Sequence, residues 1–221
     1  MSQHFKLTII SSIFIAGLLA ANLLGSKITT LFGVAVSVGI FAYPLTFMMT
    51  DAVAEVYGKK KAKQLVWAAL IAQVLVLILT LVAVKLPAAS RYTFNEQYVT
   101  VFSGSIRMMI ASLIAFIISQ THDIWAFEFW KEKFGGRWLW LRNNASTMVS
   151  QAIDTLLFMF IAFYGISDKF TVGFILHLCL SYWLFKMAFA VLDTPLVYLL
   201  VNWLRKPGKE DEVADNQPLQ I

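Results

Sequence analysis

The sequence predicts an all-α fold, a polytopic membrane protein with six transmembrane helices and both the N- and C-termini cytoplasmic. Three observations carry that expectation. Hydrophobic residues make up 59% of the 221 positions and charged residues only 14%, against about 25% charged in soluble domains, and the mean hydropathy is +0.70. Apolar runs recur at lengths suited to a hydrocarbon core of about 30 Å, which takes about 20 helical residues. Basic residues alternate between the two ends of those runs, as they do when Lys and Arg stay in the cytoplasm.

The spans fall near residues 6–25, 33–57, 65–86, 99–119, 145–165 and 171–204. The first starts at Lys6 and closes on Asn22, Gly25, Ser26 and Lys27. Its lysine, apolar run and Ala20–Ala21 pair are also those of a cleaved signal sequence, which would leave five helices. The second carries Tyr43, Pro44, Phe47, Asp51 and Glu55 and stops at Tyr57–Gly58, just before Lys59, Lys60, Lys61 and Lys63. The third is an apolar run that closes at Lys85. The fourth carries Arg107 and ends at Thr121, His122 and Asp123. Beyond it the run from His122 to Trp140 mixes Trp, Phe and cations, the composition of an interfacial helix with an aromatic belt. The fifth starts near Asn144. The sixth holds Lys186, Asp193 and Pro195. Proline frees a carbonyl, and the segment is too long for a straight span, so a kink or a protruding end is expected there.

Twelve basic residues, among them Lys6, the 59–63 cluster, Lys131, Lys133 and Arg205, fall on one side of these spans, and four, Lys27, Lys85, Arg91 and Lys169, on the other. That asymmetry places both termini inside. The net charge of +5 is therefore a topology signal with some affinity for lipid headgroups, and nucleic acid is not an expected partner. Residues 1–206 form one six-helix transmembrane domain, and 207–221 an acidic tail expected to be disordered. The single cysteine, Cys179, excludes a disulfide framework and a zinc cluster and reads as an apolar filler. No metal or cofactor is expected. Small residues such as Gly17 and Ala21 are compatible with close helix contact, and so with a homodimer, without requiring one.

Five charges lie well inside the spans, away from their ends: Asp51, Arg107, Asp154, Lys186 and Asp193. Each costs roughly 2.5–3.5 kcal/mol at the centre of a lipid-facing helix, so they are read as lining a polar interior. Asn144, Thr147, Gln151, Asp154 and Phe158 follow steps of three and four and share one helix face. Tyr182, Lys186, Phe189 and Asp193 form a similar stripe. Lys186 either serves a ligand or neutralises Asp154 or Asp193. Asn22 and Arg107 are candidates for the outer entrance, and His122 with Asp123 for a proton relay. Glu55 lies one turn from Asp51, and a pair with Lys59 is its simpler reading. Asp-Thr at 154–155 and again at 193–194 hints at an internal repeat. No Gly-rich phosphate loop is present, so the chain has no ATPase motif of its own.

Thr50–Asp51 after the aromatic and proline stretch, Glu55, Tyr57–Gly58, Ser146–Thr147, Ser150–Gln151, Asp154–Thr155 and the Phe-rich run 158–163 together resemble the queuosine precursor transporter family, also called the vitamin uptake transporter family. Some relatives carry an arginine near the place of Glu55. The resemblance spans nearly the whole chain, to about Arg205. It implies a bacterial inner-membrane importer of 7-deazaguanines, 7-cyano-7-deazaguanine or 7-aminomethyl-7-deazaguanine, for the queuosine of transfer RNA. Such a ligand has adjacent N–H donors that suit a carboxylate and a carbonyl that suits Lys, Asn or Gln, so Asp154 with Gln151, Asp51, Lys186, Asp193, Asn22 and Asn144 are its candidate polar contacts. Tyr43, Phe47, Phe158, Tyr182 and Phe189 are candidate ring contacts beside their ordinary packing role. Arg107, Glu55, His122 and Asp123 are candidates for gating or coupling. A substrate-binding subunit of an energy-coupled vitamin importer and an intramembrane enzyme are the alternatives. The absence of a catalytic motif and the resemblance to solitary carriers favour a transporter.

Overall fold

A computed structural model of the chain describes residues 2–31, 33–133, 139–192 and 194–206, with the side chains of Val34, Tyr43, Lys59, Gln120, Asp123, Ile124, Phe127, Glu128, Met187 and residues 130–133, 139–147, 189–192 and 194 left aside. The architecture is helical: α1 (Gln3–Leu24), α2 (Tyr43–Tyr57), α3 (Lys59–Lys85), α4 (Asn95–Lys133), α5 (Leu139–Phe163), α6 (Val172–Leu192) and α7 (Thr194–Arg205). Between α1 and α2 lie strands β1 (Ile28–Leu31) and β2 (Val34–Ser37), then a 3-10 turn over Val38–Ala42. Three stretches, Gln3–Leu24, Lys60–Lys85 and Asn95–Ser119, are long and apolar enough to cross a membrane. Met148–Phe163 and Val172–Lys186 are shorter apolar helices. The chain is a helical membrane protein. The expected acidic tail lies outside the described residues.

Burial follows the lipid solvent. On α3, Trp67, Ile71, Leu75, Ile78 and Leu79 are exposed while Gln73 and Thr80 are buried. On α6, Val172, Leu176, Leu180 and Leu184 form an exposed stripe at steps of four, whereas Ile175, Leu178, Tyr182 and Lys186 face inward. Large apolar side chains outside and polar ones inside reverse the soluble pattern, because acyl chains solvate Leu and Ile but not an amide or ammonium.

Two departures from the sequence reading have physical causes. The expected second span, 33–57, is not one helix, since its first part belongs to the antiparallel pair β1–β2, in which Ile28 faces Ser37 and Leu31 faces Val34. A two-residue connection closes the pair, with Gly33 at φ +82°, a left-handed value that glycine adopts without strain. The fourth helix runs on to Lys133 instead of ending near residue 119, and at 39 residues it is about 58 Å long, so its aromatic C-terminal turns outrun a hydrocarbon core of about 30 Å. The sixth segment is described as helix on both sides of residue 193, over Val172–Leu192 and Thr194–Arg205.

The chain clusters into two compact units. The described residues of Met1–Ala21, Ile40–Val76 and Met187–Ile221 form the first. Ile10 and Phe14 of α1, Met49 and Val53 of α2, Leu65 and Ala69 of α3, and Val201 and Leu204 of α7 make its core. A Cβ on Gly17 would stand 3.4 Å from Thr46 Cγ2, so this small residue serves the α1–α2 contact within the chain. Helix ends gather in this unit. The buried Lys6 ammonium donates to the carbonyls of Trp203 and Lys206 and lies 5.5 Å from the Trp203 ring centroid, where the negative end of the α7 dipole favours a cation. Arg205 pairs with Glu55 at 2.8 Å, and Tyr57 Oη donates to Gln3 Oε1 at 3.2 Å. Glu55 thus takes a partner from α7; the side chain of Lys59, the partner that helical spacing suggested, lies outside the described residues. Gly58, at φ +83°, turns α2 directly into the lysine-rich start of α3. Those lysines oppose the positive end of the helix dipole, a cost consistent with a topological role.

The second unit comprises Asn22–Gly39 and Leu77–Lys186. Here α4 and α5 run antiparallel, with Arg107 meeting Ile161 and Ser119 meeting Asp154. The hairpin is fixed to this unit by polar groups: Ser37 Oγ donates to Gly25 O at 2.6 Å, and Ser37 O accepts Tyr182 Oη at 3.1 Å. Non-helical backbone next to a membrane core requires such satisfaction from protein.

Candidate functional site

Gln151, Asp154 and Thr155 stand at i, i+3 and i+4 of α5 and so share one face. Into that face α6 inserts Lys186, placed on its inward side by the Leu176–Leu180–Leu184 stripe on the other. The Lys186 ammonium donates to Asp154 Oδ2 at 3.1 Å, Thr155 Oγ1 at 3.1 Å and Gln151 Oε1 at 3.3 Å. Each N–H of the ammonium can thus reach an oxygen of α5. The Thr155 hydroxyl gives its own hydrogen to Gln151 O at 2.8 Å, which leaves lone pairs for the ammonium. Removing an ammonium and a carboxylate from water costs several kcal/mol per ion, and only a close pair with further hydrogen bonds offsets it. Lys186 is 5% exposed and Asp154 26%. The lysine is therefore enclosed, and the carboxylate keeps one side open.

Asp154 Oδ1 has Ser119 Oγ 3.5 Å away, a hydroxyl that is also 3.1 Å from Phe116 O and has one hydrogen to give. Among the described residues Oδ1 is thus the less well served of the two carboxylate oxygens. About one turn along, His122 Nδ1 and Ser150 Oγ are 3.0 Å apart. His122 also begins an aromatic row, with Trp125 at 5.9 Å and Phe129 stacked beyond it at 5.6 Å. Trp183 Nε1, on α6, is buried without a hydrogen-bond partner among the described residues.

Arg107 sits elsewhere. Its guanidinium donates to Ile161 O at 2.7 Å and to Tyr164 O, the carbonyls that the last turn of α5 leaves without helical partners. It caps a helix from the side. Near that end Ser105 Oγ donates to Leu23 O at 2.7 Å, and Gly104 lets Ser26 approach. Asn22, the other proposed entrance residue, is buried.

Of the residues singled out from sequence, the structure brings together Gln151, Asp154 and Lys186. Tyr182 shares the inward face of α6 with Lys186, its hydroxyl given to Ser37. Phe158 and Phe47 are half-buried, and Asp51 is exposed on α2 in the other unit. The side chains of Tyr43, Asp123, Asn144 and Phe189, and the whole of Asp193, lie outside the described residues. Thr155, Ser150 and Ser119 belong to the cluster, though sequence reading gave none of them a role. Thr155 was legible as the i+4 neighbour of Gln151. Ser119 was not, because its relation to Asp154 depends on the register between two helices.

Residues 37–200 match the family model described as "Putative vitamin uptake transporter". The chain belongs to the vitamin uptake transporter family. Among relatives of this family member, a protein named "Probable queuosine precursor transporter" from Bacillus subtilis (strain 168) is 35% identical over 181 residues, 80% of this chain and 77% of that protein. A "Queuosine precursor transporter" from Escherichia coli (strain K12) is 26% identical over 208 residues, 93% of this chain and 91% of its own length. No solved structure matches the chain. The family is one of transporters, not enzymes. The matched stretch takes in α2 through most of α7, and with them the whole Lys186 cluster.

Proposed function

We propose that this vitamin uptake transporter family member imports queuosine precursors, 7-cyano-7-deazaguanine or 7-aminomethyl-7-deazaguanine, across the bacterial inner membrane as a solitary carrier. In this reading six segments cross the bilayer with both termini cytoplasmic, α6 and α7 together supplying the last. The gathering of Lys6, Glu55–Arg205 and the α2–α3 junction at neighbouring helix ends supports the shared side of those basic residues. The names of the two relatives support the substrate class.

The observation that carries the proposal is the Lys186–Asp154–Gln151 cluster, in which Lys186 is enclosed while the Asp154 side chain is 26% exposed. A carboxylate takes two adjacent N–H donors side by side, the pattern on the edge of a guanine-like ring. Lys186 supplies the counter-charge to that carboxylate inside an apolar bundle, and Gln151 presents an amide within reach of the same place. Phe158, one turn beyond Asp154 on α5, is the candidate ring contact.

The test is direct binding of both deazaguanines and guanine to purified full-length protein, repeated with Asp154→Asn on material that elutes as a folded species. Loss of one partner of a charge-assisted pair costs roughly 1.5–3 kcal/mol, so affinity falls at least about tenfold. Unchanged affinity removes Asp154 from the site. Uptake by the chain expressed alone, in cells unable to make the deazaguanine, separates a carrier from a binding subunit.

A further inference from the structure

We propose that Lys186 is the built-in cation of this site, holding the place that a sodium ion takes in a sodium-driven carrier, so that substrate binding here does not depend on sodium. The inference rests on the functional reading above for its substrate, but its structural half stands on geometry alone.

The ammonium's partners on α5 are a carboxylate, a side-chain amide and a hydroxyl, at 3.1–3.3 Å and within one turn of that helix. Hard oxygen donors of these kinds are what a small hard cation takes from protein. At these distances they fit hydrogen bonding to an N–H group and are longer than metal–oxygen bonds. The cation they hold is tethered to α6 and enclosed, so it neither dissociates nor exchanges with the medium. The charge of Asp154 is already matched by it. A sodium ion entering the same oxygens would meet a like charge at contact distance, and like charges in a poorly screened interior repel strongly. What a coupled ion does transiently in a sodium-driven carrier, Lys186 does permanently: it balances the Asp154 carboxylate and orders Gln151 and Thr155 beside it.

Two measurements on the full-length purified protein test this. In the first, the affinity of wild-type protein for 7-cyano-7-deazaguanine is measured in sodium chloride and in choline chloride at equal ionic strength. The expected affinities agree within about twofold, and a loss of about tenfold or more in choline overturns the proposal. In the second, the melting temperature of Lys186→Ala is followed with methylammonium chloride, and with tetramethylammonium chloride as a cation that lacks N–H groups. Methylammonium is expected to raise the melting temperature of Lys186→Ala, and to leave wild type and the double variant Lys186→Ala/Asp154→Asn unmoved. Equal responses to both amines, or none, overturn the cation cage. Wild-type protein that binds the deazaguanine in neither salt refutes the functional reading instead, and the melting measurement then decides the cage on its own. If Lys186→Ala does not fold, the salt comparison on wild type decides.

Discussion

Unequal burial of the two ends of the Lys186–Asp154 pair makes a sharp forecast for stability. Removing one partner of a buried ion pair costs about 3–5 kcal/mol, because the survivor is left as an uncompensated charge. The survivors here differ: Lys186 is 5% exposed and Asp154 26%. Asp154→Asn takes the Asp154 charge away from the enclosed ammonium and leaves Gln151 and Thr155 beside it, so its cost falls near the lower end of that range, about 3 kcal/mol. Lys186→Met strands a carboxylate that retains an open side, and costs about 1–2 kcal/mol. The double variant strands no charge and is expected to be no less stable than Asp154→Asn alone, a coupling of about 2 kcal/mol. Equilibrium unfolding of the four proteins in mixed micelles of increasing SDS fraction reads all three differences. Additive single losses, or a larger loss for Lys186→Met than for Asp154→Asn, would refute the argument from burial.

Arg107→Ala should free the Ile161 and Tyr164 carbonyls and cost about 1.5–3 kcal/mol, with Arg107→Lys recovering part of it. Hydrogen exchange should quicken in the last turn of α5 while the Lys186 cluster stays protected, and uniform exchange throughout α5 would argue against the cap. Gly104→Ala should destabilise by about 1–3 kcal/mol, since its Cβ would lie 3.0 Å from Ser26 Cβ. Gly173→Ala, whose Cβ meets nothing within 4 Å, should be neutral or gain up to about 1 kcal/mol; paired thermal melts compare the two. Trp183→Phe removes a buried donor without a partner among the described residues, and should be neutral or stabilising by about 1 kcal/mol. A large drop in its melting temperature would mean that the indole N–H has an acceptor after all.

Composition and periodicity make a helical membrane protein legible in the sequence, because a lipid solvent demands long apolar runs and tolerates an interior charge only beside a partner. The same rules place Gln151 and Asp154 on one face of α5 and turn Lys186 inward on α6. The β1–β2 hairpin was harder to see. Its β-branched residues Ile28, Thr29, Thr30, Val34 and Val36 around Gly33 are a hairpin signal, but an apolar run reads equally as the start of a span. Nor does any local pattern show that α4 continues past residue 119, since aromatic and cationic residues suit both an interfacial helix and a protruding helix end.

Which charges meet was decided by tertiary structure. From sequence, Lys186 had two possible acidic partners, and Arg107 looked like an entrance residue. The register between α5 and α6 brings Asp154 to Lys186, and that between α4 and α5 gives Arg107 the end of a helix to cap. Helical period fixes which face a residue occupies, because it is set by bonds within one segment. Partnership depends on the sliding and rotation of one helix against another, which are set by packing over the whole contact and are written in no single stretch of chain.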